Sequence, residues 1–110
     1  MIVREFGING DKRLRYNLLE GSGSNLSEMV GQRIPVKAYL IVENEDAQTG
    51  EKKKSLKVLT EDGEIVGTNS GSFIAGMERF LECMESDECT EMEVTKQRSK
   101  AGRDYLTFKA

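Results

Sequence analysis

From Ile34 to Lys109 the apolar pattern changes period twice, and those changes constrain the fold more than any other feature. Three segments alternate in twos, one recurs at spacings of one, three and four, and two more alternate again. The order is therefore strand, strand, strand, helix, strand, strand.

Ile34 to Glu43 is the longest strand candidate, with Pro35 tolerable near its start. Strict alternation puts Val36, Ala38, Leu40 and Val42 on the core face and Lys37, Tyr39, Ile41 and Glu43 on the outer face. Asn44 to Lys54 is a polar connection suited to a long hairpin. Ser55 to Thr60 resumes the alternation, with Leu56 and Val58 inward and Lys57 outward. Asp62-Gly63 supplies the positive backbone angles of a tight turn into the short strand Glu64 to Thr68. Asn69 or Ser70 then caps a helix whose apolar stripe is Phe73, Ile74, Met77, Phe80, Leu81 and Met84, with Phe73, Met77 and Phe80 as core plugs. Thr90 to Gln97 follows as a strand with Met92 and Val94 inward. Ser99 to Gly102 turns the chain into Arg103 to Lys109, with Leu106 and Phe108 on one face and Tyr105, Thr107 and Lys109 on the other.

The segment before Ile34 is less regular. Leu14, Tyr16 and Leu18 alternate with Arg13, Arg15 and Asn17, which suggests one or two short strands. Gly21-Ser22-Gly23-Ser24 reads as a flexible break. Asn25 followed by Glu28 gives a capping-box-like start to a single helical turn that ends at Gly31.

With one helix between the third and fourth strands, this order is that of the five-stranded OB barrel, a frequent carrier of single-stranded nucleic acid. The expected architecture is mainly β: one domain over residues 1–110, with 1–25 as an N-terminal extension of short strands and 26–110 as the barrel. A chain of 110 residues supports one modest core. Its longest apolar run, Ala38 to Val42, is far short of the roughly 18 residues of a membrane span. The MIVREFGING start has no extended apolar region, so a secretory leader is not expected and the cytoplasm is the expected location.

Catalytic chemistry has little footing. There is no histidine, which removes Ser-His and Cys-His activation and the HExxH zinc motif. Cys83 and Cys89 are separated by five residues and form no disulfide framework; a zinc site would need carboxylates to complete it. Gly21-Ser22-Gly23 lacks the third glycine of a dinucleotide loop, and Gly67 to Gly71 lacks the spacing and base of a nucleophile elbow. The helix N-terminus at Ser70 to Ser72 could hold a phosphate, but ordinary capping is the better explanation of these residues. Glu78 and Glu82 read as a solvated face. No enzyme activity, cofactor or metal is expected.

The charge pattern is more informative than the net charge of −3. Met77 to Glu93 carries Glu78, Glu82, Glu85, Asp87, Glu88, Glu91 and Glu93 against Arg79. Val94 to Ala110 carries Lys96, Arg98, Lys100, Arg103 and Lys109 against Asp104. Separation this sharp creates a local field, although two solvated surfaces would look the same. A single-strand binder needs aromatic faces for bases and cations along the phosphates. The candidates are Lys37, Tyr39, Lys57, Tyr105 and Lys109 on outer strand faces, Lys52, Lys53 and Lys54 in the first hairpin, and Arg98, Lys100 and Arg103 in the last loop. In an OB barrel these elements are expected to converge on one wall, opposite the acidic helix.

From about Leu18 onward, LLEGSGSNLSEMVGQRIPVKAYLIVEN, TEDGEIVGTNSGSFIAGMERFLE and TKQRSKAGRDYLTFKA resemble the small single-stranded DNA-binding proteins of tailed phages and mobile elements. Val30-Gly31-Gln32, Thr68-Asn69-Ser70 and Ser99-Lys100-Ala101-Gly102-Arg103 carry the resemblance. It implies coating of single-stranded DNA without sequence specificity, in support of replication or recombination. The expected assembly is a homodimer or larger homo-oligomer, in which the N-terminal strands pair with a neighbour's sheet edge, and the expected protein partners are replication or recombination proteins. The chain departs from the cellular members in having no tryptophan and in reading as a strand through Phe108-Lys109-Ala110, where an acidic tail would recruit partners. The Glu82 to Glu93 stretch either substitutes for that tail or turns DNA to the opposite side. The alternatives are an OB-fold protein-interaction module, acting on a replication or host-defence protein without nucleic acid, and a binder of structured RNA.

Overall fold

The computed structural model describes residues 1–21 and 23–110. Its elements are β1 (Ile2–Phe6), α1 (Lys12–Glu20), β2 (Ser24–Asn25), a 3-10 turn (Leu26–Met29), β3 (Arg33–Glu45), β4 (Lys52–Thr60), β5 (Ile65–Thr68), α2 (Gly71–Met84), β6 (Glu91–Arg98) and β7 (Asp104–Lys109). From Ile34 onward the order matches the sequence reading, with α2 joining β5 to β6. Neither helix is long and apolar enough to cross a membrane.

All seven strands belong to one curled sheet of order β2-β5-β4-β3-β6-β7, with β1 added on β3. The 13-residue β3 organises it. β4 runs antiparallel along one edge, while the other edge pairs with β6 at Arg33–Pro35 and with β1 at Tyr39–Val42. A closed barrel is not formed among the described residues. β2 lies parallel to β5 at Val66 and Gly67, on the edge β7 would need to close the sheet.

The strict alternation expected along β3 is broken by a bulge. Register with β4 shifts between Val36 and Ala38, leaving Lys37 as the extra residue. One inserted residue exchanges the two faces beyond it. Val36, Tyr39 and Ile41 consequently share the inner core with Leu56, Val58, Val66, Phe73, Ile74, Met77, Leu81, Met92 and Val94. Ala38 and Leu40 join Ile8 and Leu18 in a second cluster on the other face. Tyr39 and Ile41, expected outside, are fully buried.

That second cluster exists because Lys12–Glu20 is a helix and not the strand its alternation suggested. The Asp11 side chain accepts from the Leu14 amide at 3.0 Å and caps it. Leu14 and Leu18 then fall on one helical face, Leu18 is buried against the sheet, and Tyr16 is left in solvent. The break expected at Gly21–Ser24 includes Ser22, which lies outside the described residues. The single helical turn appears at Leu26–Met29, where the Asn25 side chain accepts from the Ser27 amide.

Around α2 the expectations hold except at Met84, which ends the helix exposed and not in the apolar stripe. Ser70 is the cap, accepting from the Phe73 amide at 3.3 Å. Phe73 and Met77 are buried, and the half-buried Phe80 packs on Phe108 with ring centroids 5.4 Å apart. Both expected turns form, with positive backbone angles at Gly63 and Gly102. The first hairpin is tighter than expected. Asp46 and Glu51 close it, so Lys52, Lys53 and Lys54 belong to β4 and not to a loop. Opposite charges across the ladder, Glu43 facing Lys54 and Glu45 facing Lys52, extend the pairing.

Candidate nucleic-acid interface

The β6–β7 hairpin sorts its polar residues by register. On one face the Tyr105 hydroxyl donates to Gln97 Oε1 at 3.1 Å, and Lys109 Nζ lies 4.0 Å from Glu93. Thr95 and Thr107 hydrogen-bond between them. On the opposite face Lys96 Nζ pairs with Asp104 at 3.3 Å. At the tip, Arg98 Nε donates to the Gly102 carbonyl at 3.4 Å and the Arg103 amide donates to Ser99 Oγ. Arg98, Lys100 and Arg103 are exposed and make no ion pair among the described residues. Tyr105 is 37% exposed and lines a cleft of about 430 Å³ with Ser27, Ser70, Lys96, Asp104 and Leu106.

A second concavity of about 800 Å³ opens between the start of β4 and the first turns of α2, lined by Lys52, Lys53, Lys54, Asn69, Gly71 and Ile74 among others. Lys54 Nζ donates to both Glu78 carboxylate oxygens at 3.0 Å. Lys52 and Lys53 are exposed and make no ion pair among the described residues.

The two concavities lie on either side of Asn69–Ser72. Asn69 and Gly71 line the Lys52–Lys54 groove, while Ser70 lines the Tyr105 cleft. Ser55 Oγ donates to Asn69 Oδ1 at 2.8 Å, and Ser72 Oγ donates to the Leu106 carbonyl at 2.7 Å. These bonds fix the start of α2 to β4 on one side and to β7 on the other.

The remaining candidates are placed elsewhere. Lys37 is exposed at the bulge of β3. Lys57 is half-buried, its Nζ donating to the Gly21 carbonyl at the end of α1, 3.3 Å away. The inward turn of Tyr39 withdraws its ring from any base, and its hydroxyl donates to the Asp87 carbonyl. Burial, then the nearby charge of Asp87, raises the Tyr39 phenol well above the ordinary tyrosine range, with Arg4 opposing. Tyr39 and Lys57 are thus withdrawn from the single wall expected of Lys37, Tyr39, Lys57 and Tyr105, because the bulge turns the first inside and the end of α1 engages the second.

Sequence reasoning missed Ser27, Asn69, Ser70 and Lys96 as cleft-lining residues. Asn69 and Ser70 stood out as caps and as part of the resembling Thr68-Asn69-Ser70 stretch, and Lys96 only as part of the basic C-terminal balance. Among the described residues no group of three or more cysteine, aspartate or glutamate side chains is placed to hold a metal ion. No protein-family model matches the chain, and no curated protein and no solved structure matches it either.

Proposed function

We propose that this protein binds single-stranded DNA without sequence preference, as an OB-type barrel in which β3, β4, β5, β6 and β7 are the five strands and α2 the intervening helix. The strand runs from Lys52 and Lys53 of β4 to the basic β6–β7 turn across the start of α2, in support of phage or mobile-element replication or recombination. The observation that carries this reading is the pair of clefts flanking Asn69–Ser72. One is bordered by Lys52 and Lys53, and the other by Tyr105 beside the Arg98–Arg103 turn. Stacking on one exposed tyrosine contributes about 1–3 kcal/mol, and cations on both sides hold the phosphates.

The test is a fluorescence titration of oligo-dT at two salt concentrations. Binding that weakens with a logarithmic slope of about −0.7 per phosphate contacted supports the reading. Charge reversal at Lys100 and Arg103 should flatten that slope.

The second reading is a protein-interaction module. It draws on the exposed acidic run of Glu82, Glu85, Asp87, Glu88 and Glu91, which lies outside both clefts. Absence of oligonucleotide affinity at low ionic strength would select it.

A further inference from the structure

We infer that the groove between β4 and α2 is a base-holding subsite, taking the base of one nucleotide of the bound strand with its phosphates on Lys52 and Lys53. This rests on the single-strand reading above and adds to it a site at which the residues contacting the base are different from Tyr105.

The chemistry of the lining carries the inference. Ile74 and Ala75 give the groove an apolar floor, and Lys52 and Lys53 stand on its rim. Its volume of about 800 Å³ falls in the range of roughly 300–1,000 Å³ typical of small-molecule sites. Lys54 is held by Glu78, so that pair contributes no free charge. Glu43 is the remaining carboxylate of the lining, and it is outweighed by Lys53 and by Lys52, which faces Glu45 across the ladder; neither lysine is within ion-pair distance of a carboxylate among the described residues. The groove is therefore complementary to an anion with an apolar body. Asn69 completes the set. Its Oδ1 accepts from Ser55, which leaves the amide hydrogens to donate to a base carbonyl, an acceptor that thymine, cytosine and guanine all present. Gly71, also in the lining, has nothing within 4 Å of where a side chain would begin, so the approach is open.

The experiment uses the absence of tryptophan from the chain. Asn44→Trp places a single indole on the exposed rim of the groove. Ala75→Met narrows the floor, and the double variant Lys52→Gln/Lys53→Gln removes the rim charges. Each is titrated with oligo-dT, and anisotropy of the labelled oligonucleotide reports binding independently. The indole should quench in step with binding. Ala75→Met should bind roughly tenfold more weakly at an unchanged salt slope, the signature of a lost base contact. The lysine double variant should flatten the slope by about 1.4, two phosphates at 0.7 each. If Ala75→Met binds as tightly as the native chain, or the indole stays silent while anisotropy reports binding, the subsite is wrong and the single-strand reading stands. If the native chain shows no affinity for oligo-dT, both are wrong.

Discussion

The Tyr39 hydroxyl donates a hydrogen bond to the Asp87 main-chain carbonyl at 2.5 Å, tying the middle of β3 to the loop that follows α2. The ring packs against Phe6 at 6.0 Å between centroids, so one side chain joins β1, β3 and the α2–β6 loop. Tyr39→Phe keeps the packing and removes the bond, and should cost about 0.5–1.5 kcal/mol in urea unfolding. Tyr39→Ala should cost about 3–5 kcal/mol by opening a cavity in the inner core. Neither change touches either cleft.

The same residue makes stability depend on alkaline pH. Its folded-state pKa is raised by burial and then by Asp87, so the native state keeps its proton where the unfolded chain, near the ordinary value of about 10, loses one. Above that value the unfolded state binds fewer protons than the native state, and unfolding free energy falls as pH rises. The contribution is fully present below about pH 10 and is lost progressively from there upward. Unfolding curves from pH 9 to about 11 should show this decline in the native protein and a shallower one in Tyr39→Phe.

The two thiols should behave differently. Cys83 is exposed on α2, whereas Cys89 is buried and its thiol donates to the Glu91 carbonyl at 3.4 Å. Burial also raises the Cys89 pKa, which lowers its thiolate fraction. A chromogenic thiol reagent at neutral pH should therefore titrate one cysteine rapidly in the native protein and both in denaturant. Rapid reaction of both in the native state would mean that the α2–β6 loop does not pack as described.

Much of the sheet was legible in the chain because the turns carry their own chemistry. Asp62-Gly63 and the Gly102 turn fixed two hairpins, and Ser70 with the Phe73–Leu81 stripe fixed α2. The error along β3 came from reading Ala38 to Val42 as one buried face and one exposed face. A strand covered on both faces reads as an unbroken apolar run, and that run was present. What hid its meaning was α1, whose Leu14, Tyr16 and Leu18 satisfy a period of two while Leu14 and Leu18 also satisfy the four-residue spacing of a helix. The Asp11 cap decides between them, and only the helix supplies the cover that Ala38 and Leu40 require. The site suffered from the same ambiguity. Inverting the faces at Lys37 takes Tyr39 inside, and the end of α1 takes Lys57, whereas residues beside turns, such as Lys100, Arg103 and Tyr105, stay where the sequence put them.

The bulge depends on Gly7. A Cβ there would stand 2.3 Å from the Lys37 carbonyl oxygen, and the backbone angle φ is +77°, a conformation unfavourable to any other residue. Gly7→Ala should displace β1 from the bulged part of β3 and destabilise the protein by at least about 1–3 kcal/mol. Gly10→Ala is the control, because it shares a positive φ of +78° but has nothing within 4 Å. In thermal unfolding the Gly7 variant should lose clearly more stability than the Gly10 variant. Equal losses would show that strain alone, and not the approach to Lys37, governs the site.

Arg4 offers a test of how β1 is held. Its guanidinium lies 2.8 Å from Asp87, 3.5 Å from Glu82 and 3.9 Å from Glu78, so it joins β1 to both α2 and the following loop. Arg4→Met retains much of the aliphatic stem and removes the charge. Partly exposed pairs contribute little one by one, but three carboxylates around one guanidinium form a network. The variant should lose about 1 kcal/mol at low salt, with the difference from the native protein shrinking as ionic strength rises. A loss independent of salt would assign the role of Arg4 to packing.

Tyr105 separates binding from stability in the direction opposite to Tyr39. The residue is 37% exposed and borders a cleft, and its side chain's only hydrogen bond in the described residues is to Gln97, on the hairpin face opposite Lys96. Removing an exposed side chain usually alters stability by no more than about 0.5 kcal/mol. Tyr105→Ala should therefore unfold close to the native midpoint, yet lose about 1–3 kcal/mol of oligo-dT affinity if a base stacks there. Tyr105→Phe should retain nearly all of that affinity, since the π-face and not the hydroxyl makes the contact. Paired with Tyr39→Phe, which should lower stability and spare binding, the two substitutions form a crossed comparison. Equal oligo-dT affinity in native protein, Tyr105→Ala and Tyr105→Phe would remove this tyrosine from the interface and leave only Lys52, Lys53 and the cations of the β6–β7 turn to hold the strand.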